Sequence, residues 1–273
     1  MKTVSADKIR SAISGLCVRA NTILRKDVLS RLRAAYSRES NNKAKDILRA
    51  IVKNAYVARK ERLALCQDTG LPVVFLKIGQ NVKISGDLKN AINKGVEEGY
   101  RKGHLRSSII SSPLIRGRPG YSPVVIHTDI VKGNKIKITV LPKGFGCENK
   151  TQLKMFNPTA ELEEVKRFVV EAVKAAGPDA CPPYIIGVGM GGTADYAGFL
   201  AKRALLNPLT HRPSALEKEL SRRINKLNIG PMGLGGKSTC LGVNIETYPT
   251  HIAGLPVAVN ISCHALRSAS VTL

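Results

Sequence analysis

The stretch "CPPYIIGVGMGGTADYAGFLAKRALL", residues 181–206, restricts what this chain can fold into more than any other. Tyr184–Ile186 read as a short buried strand and Thr193–Leu206 as a helix, with Gly187, Gly189 and Gly192 between them. Glycine lacks a Cβ, so such a strand–turn–helix unit lets backbone pack closely on backbone. The same glycines spell G-x-G-x-x-G, the pattern of a dinucleotide-binding loop. A dinucleotide fold places that loop in its first βα turn, with an acidic strand end about 20 residues later. Here the pattern comes late, and the region that should supply the acid, "NPLTHRPSALEKEL", is a loop entering a helix that contains Glu217. The glycines therefore predict close packing, and an NAD-linked oxidoreductase is a secondary alternative.

The rest of the chain reads as α+β. Apolar residues at three- and four-residue spacing predict helices over Ala6–Leu16, Val28–Tyr36 and Asn42–Leu63, so the first 65 residues are expected to be helical. Val73–Ile78 is an apolar strand, and Ser85 is placed to cap a helix over Asp87–Lys102. Two β-branched runs flank Lys132-Gly133-Asn134 and predict a hairpin. Further helices are expected over 158–176 and Ser214–Leu227, and strands over Leu241–Thr247 and Leu255–Ser262. With no repeat and no low-complexity linker, the expectation is one α+β domain over 1–273. Its helical N-terminal part precedes a mostly antiparallel or mixed sheet packed with helices.

No run of 18 apolar residues and no apolar leader core occurs, so the expected location is cytoplasmic, without a membrane. Six cysteines in 273 residues are too sparse for a disulfide scaffold, and none form a C-x-x-C pair. The net charge of +23 invites a nucleic-acid partner. Yet the basic residues are spread along helices, and no RNA-binding strand motif or zinc finger accompanies them. A solvated basic surface is the preferred reading, and nucleic-acid binding a different-class alternative.

Chemistry is expected where Gly, Cys and polar residues share a loop: Cys66–Gly70, Gly144–Lys150, Cys181–Pro183, Gly230–Lys237 and Ser262–Arg267. Cysteines far apart in sequence, each at an element edge, suit an iron–sulfur cluster, although zinc is also open on those grounds alone. The segments "CQDTG", "KGFGCENK", "CPPYIIGVGMGGT", "IGPMGLGG" and "THIAGLPVAVNISCHALR" follow one another in this order. In this the whole chain resembles the α subunit, or N-terminal half, of class I fumarases and the related L-tartrate dehydratases.

That resemblance implies a 4Fe–4S cluster held by Cys66, Cys181 and Cys263, with one iron left open as a Lewis acid. It places Gln67 and Asp68 in the substrate pocket, with Asp68 in acid–base chemistry, and Arg106 on a substrate carboxylate. The loop containing Gly144 and Gly146 is expected to approach substrate through its backbone, with Lys150 a weaker candidate. Cys17, Cys147 and Cys240 fall outside the ligand positions, and His127, Lys237 and His251 are assigned no role. The implied activity is reversible hydration of fumarate to L-malate, with L-tartrate dehydration as the alternative. The C-terminal half of the long fumarases lies outside this chain. In split enzymes it is a separate β subunit, so the resemblance implies a heterotetramer or higher assembly, inactive without β, acting on a dicarboxylate.

Overall fold

A computed structural model of the chain describes residues 2–273. The α+β class holds, with mixed sheets packed by helices. Contacts divide the chain into two compact units. The first comprises Met1–Leu24, Tyr56–Phe145 and Arg267–Leu273, and the second Arg25–Ala55 and Gly146–Leu266. No described helix is long and apolar enough to cross a membrane.

The first unit begins with β1 (Lys2–Ser5), a strand too short to show in the sequence pattern, followed by α1 (Ala6–Thr22). The second unit opens with α2 (Lys26–Arg38), and α3 (Asn42–Glu61) carries the chain from the second unit back to the first. Next come β2 (Leu71–Gly79), β3 (Val82–Ser85), α4 (Leu88–Lys102), β4 (Val125–Val131) and β5 (Ile136–Lys143). Asp87, not Ser85, caps α4: its carboxylate accepts from the Asn90 N–H, while Ser85 ends β3.

The expected hairpin does not form. The turn at 132–135 is real, but β2 lies between β4 and β5, parallel to the first and antiparallel to the second. The physical reason is burial. Residues 72–76 of β2 are buried throughout and need sheet neighbours on both sides, whereas β4 is largely exposed and serves as an edge. The turn then closes over the end of β2, where the Gly79 and Asn81 N–H groups donate to the Lys135 and Gly133 carbonyls. A last strand, β10 (Ala269–Thr272), pairs antiparallel with β5. Ile9, Ile13 and Leu16 of α1 and Ile92, Val96 and Tyr100 of α4 pack over Val74, Leu76, Ile138 and Val140 to form the core.

After the short helix α5 (Phe145–Glu148), whose first residue belongs to the first unit, the second unit continues through β6 (Gln152–Phe156), α6 (Leu162–Ala176), β7 (Tyr184–Gly192) and α7 (Ala194–Ala204). Then come α8 (Ala215–Asn225), a single 3-10 turn at Pro231–Gly233, β8 (Cys240–Thr250) and β9 (Leu255–Ser262). The sheet order is β6-β9-β7-β8, with β7 parallel to β8 and antiparallel to β9. Ser214 and Glu217 form a reciprocal capping box at the start of α8.

The glycines of the opening stretch lie inside β7 rather than in a turn. Side chains alternate along the strand, so Ile186 and Val188 face one way, into a core with α6 and α8. Gly187 and Gly189 face the other way, where a Cβ would meet the Ala201 and Ala197 carbonyl oxygens at 2.0 and 2.1 Å. Helix α7 therefore rests directly on the strand backbone, with Ala197 and Ala201 packed on Ala258 of β9. The predicted close packing is present, produced by an extended strand.

Candidate functional site

In the first unit, the loop Cys66–Gly70 enters β2 and is fixed from several sides. Thr69 and Gly70 are buried, Cys66 and Asp68 half-buried, and Gln67 exposed. The Asp68 carboxylate accepts the Gly70 N–H on Oδ1 at 3.0 Å and the Phe145 N–H on Oδ2 at 2.9 Å. Gly144 allows this approach, since a Cβ there would sit 3.1 Å from Asp68 Oδ2. Thr69 Oγ1 accepts the Arg106 N–H at 3.0 Å, and the Tyr100 hydroxyl donates to the Thr69 carbonyl at 2.8 Å. This unit thus gathers Asp68, Gly144 and the Arg106 backbone around one loop, with Cys66 and Gln67 at its start. The Cys66 thiol lies 3.4 Å from Gln67 Oε1. Each Asp68 oxygen has one backbone donor and spare acceptor capacity, as a group that exchanges a proton needs.

The sequence placed Arg267 at the end of one candidate loop but gave it no role. The residue is 3% exposed, its Nη2 donates to the Asp68 backbone carbonyl, and its Nε has no hydrogen-bond partner. As one of 43 Lys and Arg residues it carries no pattern signal; only its place at the end of "NISCHALR" could have marked it. Burial holds the nearby Tyr100 hydroxyl far above its usual range, and the Arg267 charge offsets this only in part. Tyr100 therefore remains a neutral donor to the loop.

In the second unit, Cys181 leads into β7 and Cys263 follows directly on β9. Ile185 and Ser262 are register partners, so both cysteines stand at one end of the sheet. The two loops are tied together: the Cys181 carbonyl accepts the His264 N–H and lies 3.0 Å from His264 Nδ1. Cys181 has φ +58°, a left-handed conformation that costs a non-glycine residue energy and that the surrounding bonds must hold. Gly146 also lies in this unit, exposed and with open space where a Cβ would be.

The six cysteines divide by burial. Cys66, Cys181 and Cys263 are half-exposed, whereas Cys17, Cys147 and Cys240 are buried. Burial pushes the Cys17 and Cys240 thiols up to about 12, so both stay protonated at neutral pH. The remaining candidates have ordinary partners. Lys150 pairs with Asp179 at 3.0 Å, Lys237 Nζ donates to the Arg38 carbonyl, His251 Nδ1 accepts the Ala253 N–H, and His127 stacks on Phe75.

Among the described residues, no three His, Cys, Asp or Glu side chains are gathered as a metal site. The donor chemistry nevertheless fits an iron–sulfur group: three half-exposed thiols, two of them at one sheet end in bonded loops.

The family described as fumarate hydratase (Fumerase) matches residues 10–272. A Methanocaldococcus jannaschii protein provisionally named L(+)-tartrate dehydratase subunit alpha is 42% identical, over 96% of this chain and 96% of the relative. The L(+)-tartrate dehydratase subunit alpha of Escherichia coli strain UTI89 is 31% identical, over 97% of this chain and 91% of that protein. Its counterpart in strain K12 is 30% identical over the same shares.

Proposed function

We propose, from the premise that this chain belongs to the fumarate hydratase family, that it is the α subunit of a hydro-lyase dehydrating L(+)-tartrate. The observation that carries the choice of substrate is the 42% identity, over nearly the full length of both chains, to a relative provisionally named for that reaction. This puts the alternative from the sequence ahead of the first expectation. Hydration of fumarate to L-malate is the second reading, favoured by the family description.

In this reading Asp68 takes and returns the proton on the carbon beside a substrate carboxylate. Its carboxylate is aimed by the Gly70 and Phe145 N–H groups, which leave lone pairs on both oxygens. The exposed Arg106 guanidinium takes a substrate carboxylate through its planar fork, and its backbone is tied one residue from Asp68, to Thr69. Gln67 offers an amide to the substrate hydroxyl or carboxylate, and Gly144 and Gly146 keep the backbone accessible. Cys66, Cys181 and Cys263 would hold a 4Fe–4S cluster, which supplies Lewis acidity toward the leaving hydroxyl. The α-subunit names of the relatives support a separate β subunit as partner.

The test is anaerobic reconstitution with iron and sulfide, then assay with a co-expressed β subunit on L(+)-tartrate, L-malate and fumarate. A brown protein is expected, with the visible absorption lost in Cys66→Ser, Cys181→Ser and Cys263→Ser. Asp68→Asn should keep the absorption but lower kcat by about 10²-fold or more. A colourless wild-type protein overturns the cluster. A kcat/KM higher for malate than for tartrate overturns the substrate choice and leaves the family role intact.

A further inference from the structure

Outside the loops described above, the second unit holds two adjoining cavities of about 250 and 240 Å³ along the outer edge of β8. They share Arg31, Arg38, Asn225, Cys240 and Leu241, so they form one cleft. Its walls are two helix faces. Arg31, Ala35 and Arg38 lie at i, i+4 and i+7 on α2; Lys218, Ser221 and Asn225 lie at i, i+3 and i+7 on α8. Residues 240–244 of β8, the edge strand of its sheet, form the floor.

The charge in this cleft has one sign. Arg31, Arg38, Lys218 and Lys237 line it, beside the His211 imidazole, and no carboxylate is among the lining residues. The acidic residues of the neighbouring segments point to other partners. Glu39 accepts the Ser40, Asn41 and Lys237 N–H groups, Glu217 is held by Ser214, Ile245 and His211, and Asp27 pairs with Arg25. Arg31 is anchored by its Nε and Nη2 to the Leu209 carbonyl, which pre-sets its guanidinium at the wall. Asn225 uses its Oδ1 on the Thr239 and Cys240 N–H groups. The buried Cys240 thiol stays protonated and adds no negative charge.

We propose that this cleft binds a small multivalent anion bearing phosphate or carboxylate groups, clamped between the α2 arginines and Lys218 of α8. Arginine and lysine divide the task as such sites usually do, with planar forks on one side and a point charge on the other. The volume suits a molecule of metabolite size rather than a polymer. The cleft contains none of the residues proposed for the hydro-lyase reaction, so it stands whether or not that function does.

The experiment is calorimetric titration of the full chain with inorganic phosphate, pyrophosphate and citrate at about physiological ionic strength. Arg38 and Lys218 are exposed, so Arg38→Gln/Lys218→Gln removes two charges without opening a core. Lys89→Gln/Lys94→Gln, on the exposed face of α4, removes the same charge elsewhere. Saturable binding of one stoichiometric anion is expected, weakened at least about tenfold by the first double variant and unchanged by the second. Preference for pyrophosphate assigns the phosphate class, and preference for citrate the carboxylate class. Equal weakening by both double variants, or no saturable binding of any of the three anions, overturns the proposal.

Discussion

Arg267 shows at the residue scale how burial converts an ordinary cation into a precise tether. A guanidinium removed from water costs several kcal/mol unless its donors are used, yet here one donor holds the Asp68 carbonyl and Nε holds nothing. Its charge is thus committed to positioning the loop that carries Cys66, Gln67 and Asp68. Arg267→Lys keeps the charge but loses the fork. We expect it to leave the fold intact by circular dichroism while lowering kcat of the αβ complex by as much as about 10²-fold, the scale of a small misplacement. Arg267→Ala should also lower the melting temperature. A Lys variant with unchanged kcat would reduce Arg267 to a structural residue. Gln67, Asp68 and Arg106 were named from motif resemblance, and the fold gathers Asp68 and the Arg106 backbone around one loop. Arg267 was given no role, because its importance lies in burial, which a basic residue in a basic chain does not announce.

At the scale of elements, the contact between β7 and α7 depends on absent side chains. Gly189→Ala would place a Cβ 2.1 Å from a backbone oxygen that cannot rotate away, so the helix itself must move. Overpacking of this kind costs about 1–3 kcal/mol or more, and the urea midpoint should fall accordingly. Gly198, on α7, has nothing within 4 Å of its Cβ position. Gly198→Ala should therefore raise stability by about 1 kcal/mol, the ordinary helix preference for alanine. If the two variants shifted the midpoint equally, the direct backbone contact would be refuted. Periodicity found most helices, since each packs one stripe of its own residues. It misjudged the Lys132–Asn134 hairpin because pairing is chosen between segments. Only the fold shows that β2, 52 residues upstream of its register partners in β4 (Gly79 pairs Val131), completes the sheet between β4 and β5.

At the scale of the whole molecule, a net charge of +23 repels itself. Screening shortens the range of that repulsion to roughly 8–10 Å at moderate salt, so the melting temperature should rise between about 0.02 and 0.3 M sodium chloride. A flat or falling trend would mean that the basic residues are already compensated by their local ion pairs. Sequence by itself determined the α+β class and the family. These follow from local pattern and from ordered motifs. Tertiary structure alone decided that the glycines sit inside a strand, that Arg267 holds Asp68, and that Cys181 and Cys263 share a sheet end. It also placed four lysine and arginine side chains around one cleft with no carboxylate among its lining residues. Such facts depend on which distant segments become neighbours, and that is set by the competition of all apolar surfaces for burial, which no single stretch of sequence encodes.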